Sequence, residues 1–240
     1  MIGDTLGYGD SRWLLAPVAW GPLIAGAVVT SAAGYAVSGW IRQIVPKRGV
    51  GLHWYGVAFA APFVLIQTPE VIAWMFGVEV SLIDPPAVVI DFLFVLFLAG
   101  ALEEPGWRGF MQPRLQERWS ALTAALAIGI IWALWHVPLV IGGGAGYQGS
   151  EWVGFFVFLP LFSIVMAWVY NSTRGGVLFV MLFHATINAM PIFEAAEPVA
   201  GGLSQLIALI GVPLGILLYY GRTYLAADRP DPTIPGRPAM

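Results

Sequence analysis

The chain has 240 residues, 58% of them apolar and only 10% charged, against roughly 25% charged in an ordinary soluble domain. That composition excludes a soluble globular fold. A formal net charge of −3 says little about partners, and the absence of cysteine excludes disulfides, thiol catalysis and Cys-ligated metals.

The N-terminus carries Asp4, Asp10 and Arg12 and lacks the basic region of a signal peptide. The first apolar stretch, residues 13–41, is therefore expected to be a retained helix, bent at its outer end by Pro17 and Pro22. Further uncharged or nearly uncharged runs follow at 52–78, 86–103, 120–141, 152–171, 175–195 and 202–222. Runs of this length form transmembrane helices, so the expected fold class is all-α, a polytopic transmembrane helical bundle of about seven spans. His53, beside Trp54 and Tyr55, fits a membrane-interface position, as do Trp13, Trp40, Trp54, Trp107, Trp119 and Trp152. The loop Gly142-Gly143-Gly144-Ala145-Gly146 has no strand before it and no lysine after it, so it reads as a loop rather than a phosphate cradle. The tail from Asp228 to Met240 contains four prolines and is expected to be disordered. Residues 1–227 then form a single transmembrane domain.

Charge sets the orientation. Arg42, Lys47 and Arg48 fall between spans one and two; Arg108, Arg114 and Arg118 after span three; Arg174 between spans five and six; Arg222, Arg229 and Arg237 after span seven. Seven spans put all of these on one face and only Arg12 on the other. The positive-inside rule makes the arginine-rich face cytoplasmic, with the N-terminus outside and the C-terminus inside. The opposite face carries Glu79, Asp84, Glu194 and Glu197.

Ionisable groups inside apolar runs are costly and mark functional positions. Glu103 and Glu104 end span three, and Arg108 follows. His136 lies in span four, His184 in span six, and Asn188 one turn beyond it. If residues 109–120 form a hairpin tip near Arg118 and Trp119, Glu103 and His136 sit at similar depth, roughly 22–26 Å above it on helical arms. His184, nine residues beyond Gly175, is ~13 Å in. Glu104 pairs with Arg108 at i,i+4 spacing, and His184 and Asn188 share one face. Trp132 walls His136 from one turn before. Glu103 points about 100° away from Glu104, so the two carboxylates take different roles. A structural ion pair is the plainer reading of Glu104–Arg108. Asp91 and Glu70 read as cavity or interface groups.

The segment Glu103-Glu104-Pro105-Gly106-Trp107-Arg108 resembles an EExxxR motif. Trp132-Ala133-Leu134-Trp135-His136 resembles FxxxH, and His184-Ala185-Thr186-Ile187-Asn188 resembles HxxxN. In this order the three resemble the CPBP intramembrane proteases, named for CAAX proteases and bacteriocin-processing enzymes. The resemblance covers about residues 88–195 and departs from the second motif at Trp132, where the family has phenylalanine. It implies peptide-bond hydrolysis in the membrane. Glu103 would be the catalytic glutamate, completed by His136, His184 and Asn188 and supported by Glu104 and Arg108. A metal-free glutamate mechanism is favoured. The alternative is Zn2+ bound by Glu103, His136, His184 and Asn188, although Asn is an unusual zinc ligand and HExxH spacing is absent.

Expected partners are a peptide or protein substrate at the membrane and the lipid bilayer, with no nucleic acid. The location is a prokaryotic cell membrane, with the site accessible from the cytoplasm. Two other function classes stay open. Membrane-embedded Glu and His also build proton-coupled transporters, although no inverted repeat is visible. A non-catalytic membrane partner or immunity protein could keep the same fold.

Overall fold

Lipid offers backbone amides no partner, so uncharged runs satisfy themselves as helices. The computed structural model describes residues 17–141, 152–189, 192–196 and 202–228. Four of its helices are long and apolar enough to cross a membrane: His53–Met75, Pro85–Gln116, Ala121–Leu139 and Gly154–Ser172. Three shorter apolar helices accompany them, Pro17–Ala32, Val177–Ala189 and Leu206–Tyr220. Each of the seven overlaps one expected span, and the mostly helical fold is that of a helical membrane protein.

In chain order the elements are α1 (Gly21–Ala32), α2 (Val37–Ile41), α3 (His53–Met75), β1 (Val80–Leu82) and α4 (Pro85–Leu98). A 3-10 turn, Gly100–Glu103, leads into α5 (Glu104–Gly106), a π-helical turn (Trp107–Met111) and α6 (Gln112–Gln116). Then come α7 (Ala121–Ile141), α8 (Trp152–Ser172), α9 (Val177–Ala189), β2 (Phe193–Ala195) and α10 (Gly202–Tyr220).

Helix ends follow local chemistry. Pro85 and Pro86 open α4, where missing amide hydrogens cost nothing. The Ser120 hydroxyl accepts from the Thr123 amide at 3.2 Å and caps α7. Gly77, at φ +81°, closes α3 in a left-handed turn that only glycine adopts without strain.

Packing is closest between α7 and α8. Ala121, Ala124, Ala125 and Ile128 are buried there, and Gly129 lets the Pro160 backbone approach to where a Cβ would lie 2.4 Å from its Cα. Small residues let membrane helices pack tightly. The short α9 is sheathed by α3, α4 and α8, and most of its side chains are buried. A 13-residue helix therefore meets protein, not lipid, over most of its surface.

Four expectations need correction. Residues 13–41 are not one helix. Among its described residues, α1 stops at Ala32, Gly34 takes φ +74°, and the chain restarts as α2. The third span does not run unbroken through Glu103. Within the Pro85–Gln116 stretch, α4 ends at Leu98 and Ala99 leaves helical geometry at φ −131°, ψ −135°. The depth estimate for Glu103 on a continuous arm fails with it, although the hairpin tip does fall between Gln116 and Ala121. The fold is also not purely α. β1 and β2 pair antiparallel, with Val80 opposite Ala195 and Leu82 opposite Phe193. Two of the tryptophans read as interfacial, Trp40 and Trp107, are buried in the protein. Asp4, Asp10, Arg12, Trp13, the glycines at 142–146, Glu197 and the tail beyond Asp228 lie outside the described residues.

Two clusters tie distant segments together. Gln67, fully buried in α3, accepts the amides of Ile192 and Phe193 and so anchors β2. Elsewhere, Gln43 donates to the Gly109 carbonyl at 2.9 Å and accepts from the Tyr170 hydroxyl at 2.8 Å. Pro113 has no N–H to offer Gly109, and Gln43 supplies the missing donor. Asn171 joins Gln112 to the Tyr224 carbonyl.

Candidate active site

Beyond the break at Ala99, the consecutive glutamates reach different partners. Glu104 is fully buried, and Arg108, one turn on and also fully buried, donates Nη1 to both its carboxylate oxygens at 3.0 and 2.9 Å. The Nδ1–H of His184 donates to Glu104 Oε1 at 2.6 Å. A carboxylate accepts only, so this contact fixes the proton on Nδ1 and leaves Nε2 facing the site. Glu104 thus joins Arg108 to His184, an arrangement that orients an imidazole through its second nitrogen.

Glu103 has other partners. It is 4% exposed, and its Oε2 accepts from the indole N–H of Trp107 at 3.0 Å and of Trp132 at 2.7 Å. Among the described residues it forms no ion pair, and Oε1 has no hydrogen-bond partner. The two carboxylates thus have different partners: one is bonded to arginine, the other to two indoles.

Trp132 stands at the centre. Its ring centroid lies 5.9 Å from that of His136, 5.1 Å from that of His184, and 5.0 Å from the Arg108 guanidinium carbon. His136 sits one turn further along α7. Its Nδ1–H donates to the Trp132 carbonyl at 2.9 Å, and its ring stacks on Phe155 at 5.2 Å. A carbonyl oxygen only accepts, so the neutral ring keeps its lone pair on Nε2.

His184 and Asn188 meet over Gly100. A Cβ built on Gly100 would lie 2.8 Å from His184 Nε2 and 2.9 Å from Asn188 Nδ2. The two side chains therefore converge on the space beside a residue with no side chain. His184 is buried, His136 is half-buried and Asn188 is exposed, so the site is closed behind Glu104 and opens past His136 and Asn188.

All six expected residues are thus accounted for. Glu104, Arg108 and His184 form one bonded chain, Asn188 stands beside His184, and Trp132 bridges Glu103 to both histidines. Sequence reasoning passed over Gly100 and gave Trp107 no role. Trp107 was findable, since it follows Glu103 at the same spacing by which Arg108 follows Glu104. Gly100 left no signal, because only the fold brings α9 against it.

Among the described residues no three His, Asp or Glu side chains come together closely enough to hold a metal ion. Both histidines have Nδ1 engaged by a protein acceptor and Nε2 left open, and one Glu103 oxygen is taken by two indoles. Zinc needs several such donors aimed at one point.

Residues 85–190 match the family model described as type II CAAX prenyl endopeptidase Rce1-like. It is the family that the three motifs resemble, and the match contains all six residues. The chain is 34% identical over 105 residues to CAAX prenyl protease 2 of Methanococcus maripaludis, covering 41% of this chain and 39% of that protein. It is 25% identical over 162 residues to lysostaphin resistance protein A of Staphylococcus haemolyticus, covering 66% and 39% respectively. The same-named protein of Staphylococcus epidermidis is 24% identical over 187 residues, covering 72% and 44%. The chain spans about two fifths of the length of the curated relatives that it matches.

Proposed function

We propose that this protein is an intramembrane endopeptidase that hydrolyses a peptide bond of a membrane-associated or lipidated substrate. One observation carries the reading: among the described residues Glu103 is a buried carboxylate outside any ion pair, one of whose oxygens accepts from two indoles while the other accepts no hydrogen bond. A buried charge normally has a cation beside it. A carboxylate bonded to no cation, held by an indole whose ring contacts two oriented imidazoles, suits a general base.

Oε1 of Glu103 takes a proton from water while the water oxygen bonds to the scissile carbonyl carbon. The lone pair of His136 Nε2 accepts the water's other hydrogen and aims its oxygen. As the carbonyl becomes an oxyanion, Asn188 Nδ2–H donates to it, beside the His184 imidazole that Glu104 holds in place. Such preorganised donors are the usual source of oxyanion stabilisation. Glu103 then returns its proton to the leaving amine as the C–N bond breaks. One water is consumed, and the products are an acid and an amine. No step requires a metal.

The chain is taken to cross the membrane seven times as one domain over residues 1–227, with its N-terminus outside, its C-terminus cytoplasmic and its site reached from the cytoplasmic side of a prokaryotic membrane. The β1–β2 pair supports the span count, because it joins segments that seven spans put on the same face. The matched prenyl protease favours a prenylated peptide as substrate. The test is cleavage of a farnesylated CAAX peptide by protein in proteoliposomes. Glu103→Gln should lose activity by about 10²–10⁴-fold. Wild-type turnover in that variant would refute the reading.

A further inference from the structure

The two indoles on Glu103 have a chemical consequence that the second motif does not supply. Phenylalanine, which the motif carries at position 132, has no N–H. Here Trp132 reaches from α7 across to the turn after α4 and donates to Glu103 Oε2 at 2.7 Å. Trp107 donates to the same oxygen from within its own turn at 3.0 Å. Both indoles are buried, Trp132 at 3% and Trp107 at 6% exposure.

We infer that Trp132 is a positioning residue for Glu103, holding Oε2 so that the reacting proton is always carried on Oε1. The inference rests on the reading of Glu103 as the base. An indole N–H donates only. The oxygen it faces must therefore stay an acceptor in both states of the carboxyl group: an anionic oxygen before proton transfer, and the carbonyl oxygen of the acid afterwards. The clamp survives the whole cycle, and the group does not rotate when it takes or returns the proton. Trp107 alone would leave Glu103 held only by its own turn. Trp132 ties it to α7, the helix that also carries His136, so that base and imidazole share one mount. The other charged or titratable groups around Trp132 are Arg108, Glu104, His184 and His136. Arg108 and His184 are bonded to Glu104, and His136 to the Trp132 carbonyl. None of these is hydrogen-bonded to Oε2, and among the described residues Arg108 keeps Nε and Nη2 without a hydrogen-bond partner.

The experiment uses the full chain and the farnesylated CAAX peptide in proteoliposomes, with indole ¹⁵N–¹H spectra of the same proteins in detergent micelles. Trp132→Phe should keep KM within about twofold and lower kcat by about tenfold or more, the scale of one hydrogen bond to a charged group. In Glu103→Ala the Trp132 indole proton should move upfield, as a donor that has lost its acceptor does. A general packing role would lower stability without separating kcat from KM. Wild-type kcat in Trp132→Phe beside an inactive Glu103→Ala overturns the role of Trp132 and leaves Glu103 as the base. Full activity in Glu103→Ala removes both. If Trp132→Phe does not fold, the spectra decide alone: an indole resonance unmoved by Glu103→Ala overturns the inference.

Discussion

Glu104 and His184 lie 80 positions apart in the chain and meet at 2.6 Å, with the imidazole Nδ1–H on a carboxylate oxygen that Arg108 also holds. All three side chains are essentially removed from solvent. Their bonded chain is what gives His184 a fixed tautomer and a fixed direction.

Removing the middle of that chain should be severe. Glu104→Ala leaves the Arg108 guanidinium buried without its carboxylate, and breaking a buried pair on one side costs about 3–5 kcal/mol. The expected outcome is a large loss of stability in detergent unfolding, together with loss of peptide cleavage. Glu103→Gln, by contrast, should lose cleavage and unfold nearly as wild type, because it breaks no bonded ion pair and Gln keeps an oxygen for the two indoles. Equal stability losses in the two variants would contradict the division of roles.

Gly100→Ala tests the space beside His184 and Asn188. The new methyl would enter within 2.8 Å of His184 Nε2, closer than real Cβ contacts allow, and His184 is pinned behind by Glu104 and cannot retreat. A misplacement of this size in an oriented site should lower kcat by about 10²-fold. Thermal unfolding should change far less than in Glu104→Ala. Turnover within twofold of wild type would show that the convergence over Gly100 has no part in catalysis.

Gly106→Ala provides the contrasting case. A Cβ there would meet the Pro22 carbonyl oxygen of α1 at 2.3 Å. Backbone must move, and overpacking of this kind typically costs about 1–3 kcal/mol. The loss should appear in unfolding first and follow into activity only as the folded fraction falls.

The chain contains no cysteine, so single cysteines report topology cleanly. Arg48 and Ser81 are both exposed and fall on opposite faces in the seven-span arrangement. A membrane-impermeant maleimide should label Ser81→Cys in intact cells and Arg48→Cys only after permeabilisation. The reverse pattern would invert the orientation.

Much of the site was legible in the sequence because it is written in helical periodicity. Glu104 and Arg108, like His184 and Asn188, are one turn apart, and a helix brings such pairs together wherever it sits. The apolar runs, the hairpin tip and the opposed directions of Glu103 and Glu104 follow from the same local geometry. Other features depend on how one helix is rotated against another. Trp132 read as a wall for His136, and its bond to Glu103, 29 positions away, is set by how α7 packs against the turn at Gly100–Glu103. The break at Ala99 gave no sequence warning, since an apolar run looks the same whether its helix is whole or interrupted. The β1–β2 pairing joins two three-residue strands from distant segments, too short to show an alternating pattern of their own.

By itself the sequence determined that the chain lies in lipid, which residues bring charge into it, and which of them share a helical face, because these depend on composition and a fixed rise and twist per residue. The tertiary structure alone decided which oxygen of Glu103 is held and which is free, where His184 and Asn188 converge, and that Gly100 had to be there. Those are contacts between segments far apart in the chain, and their geometry exists only once the helices have packed.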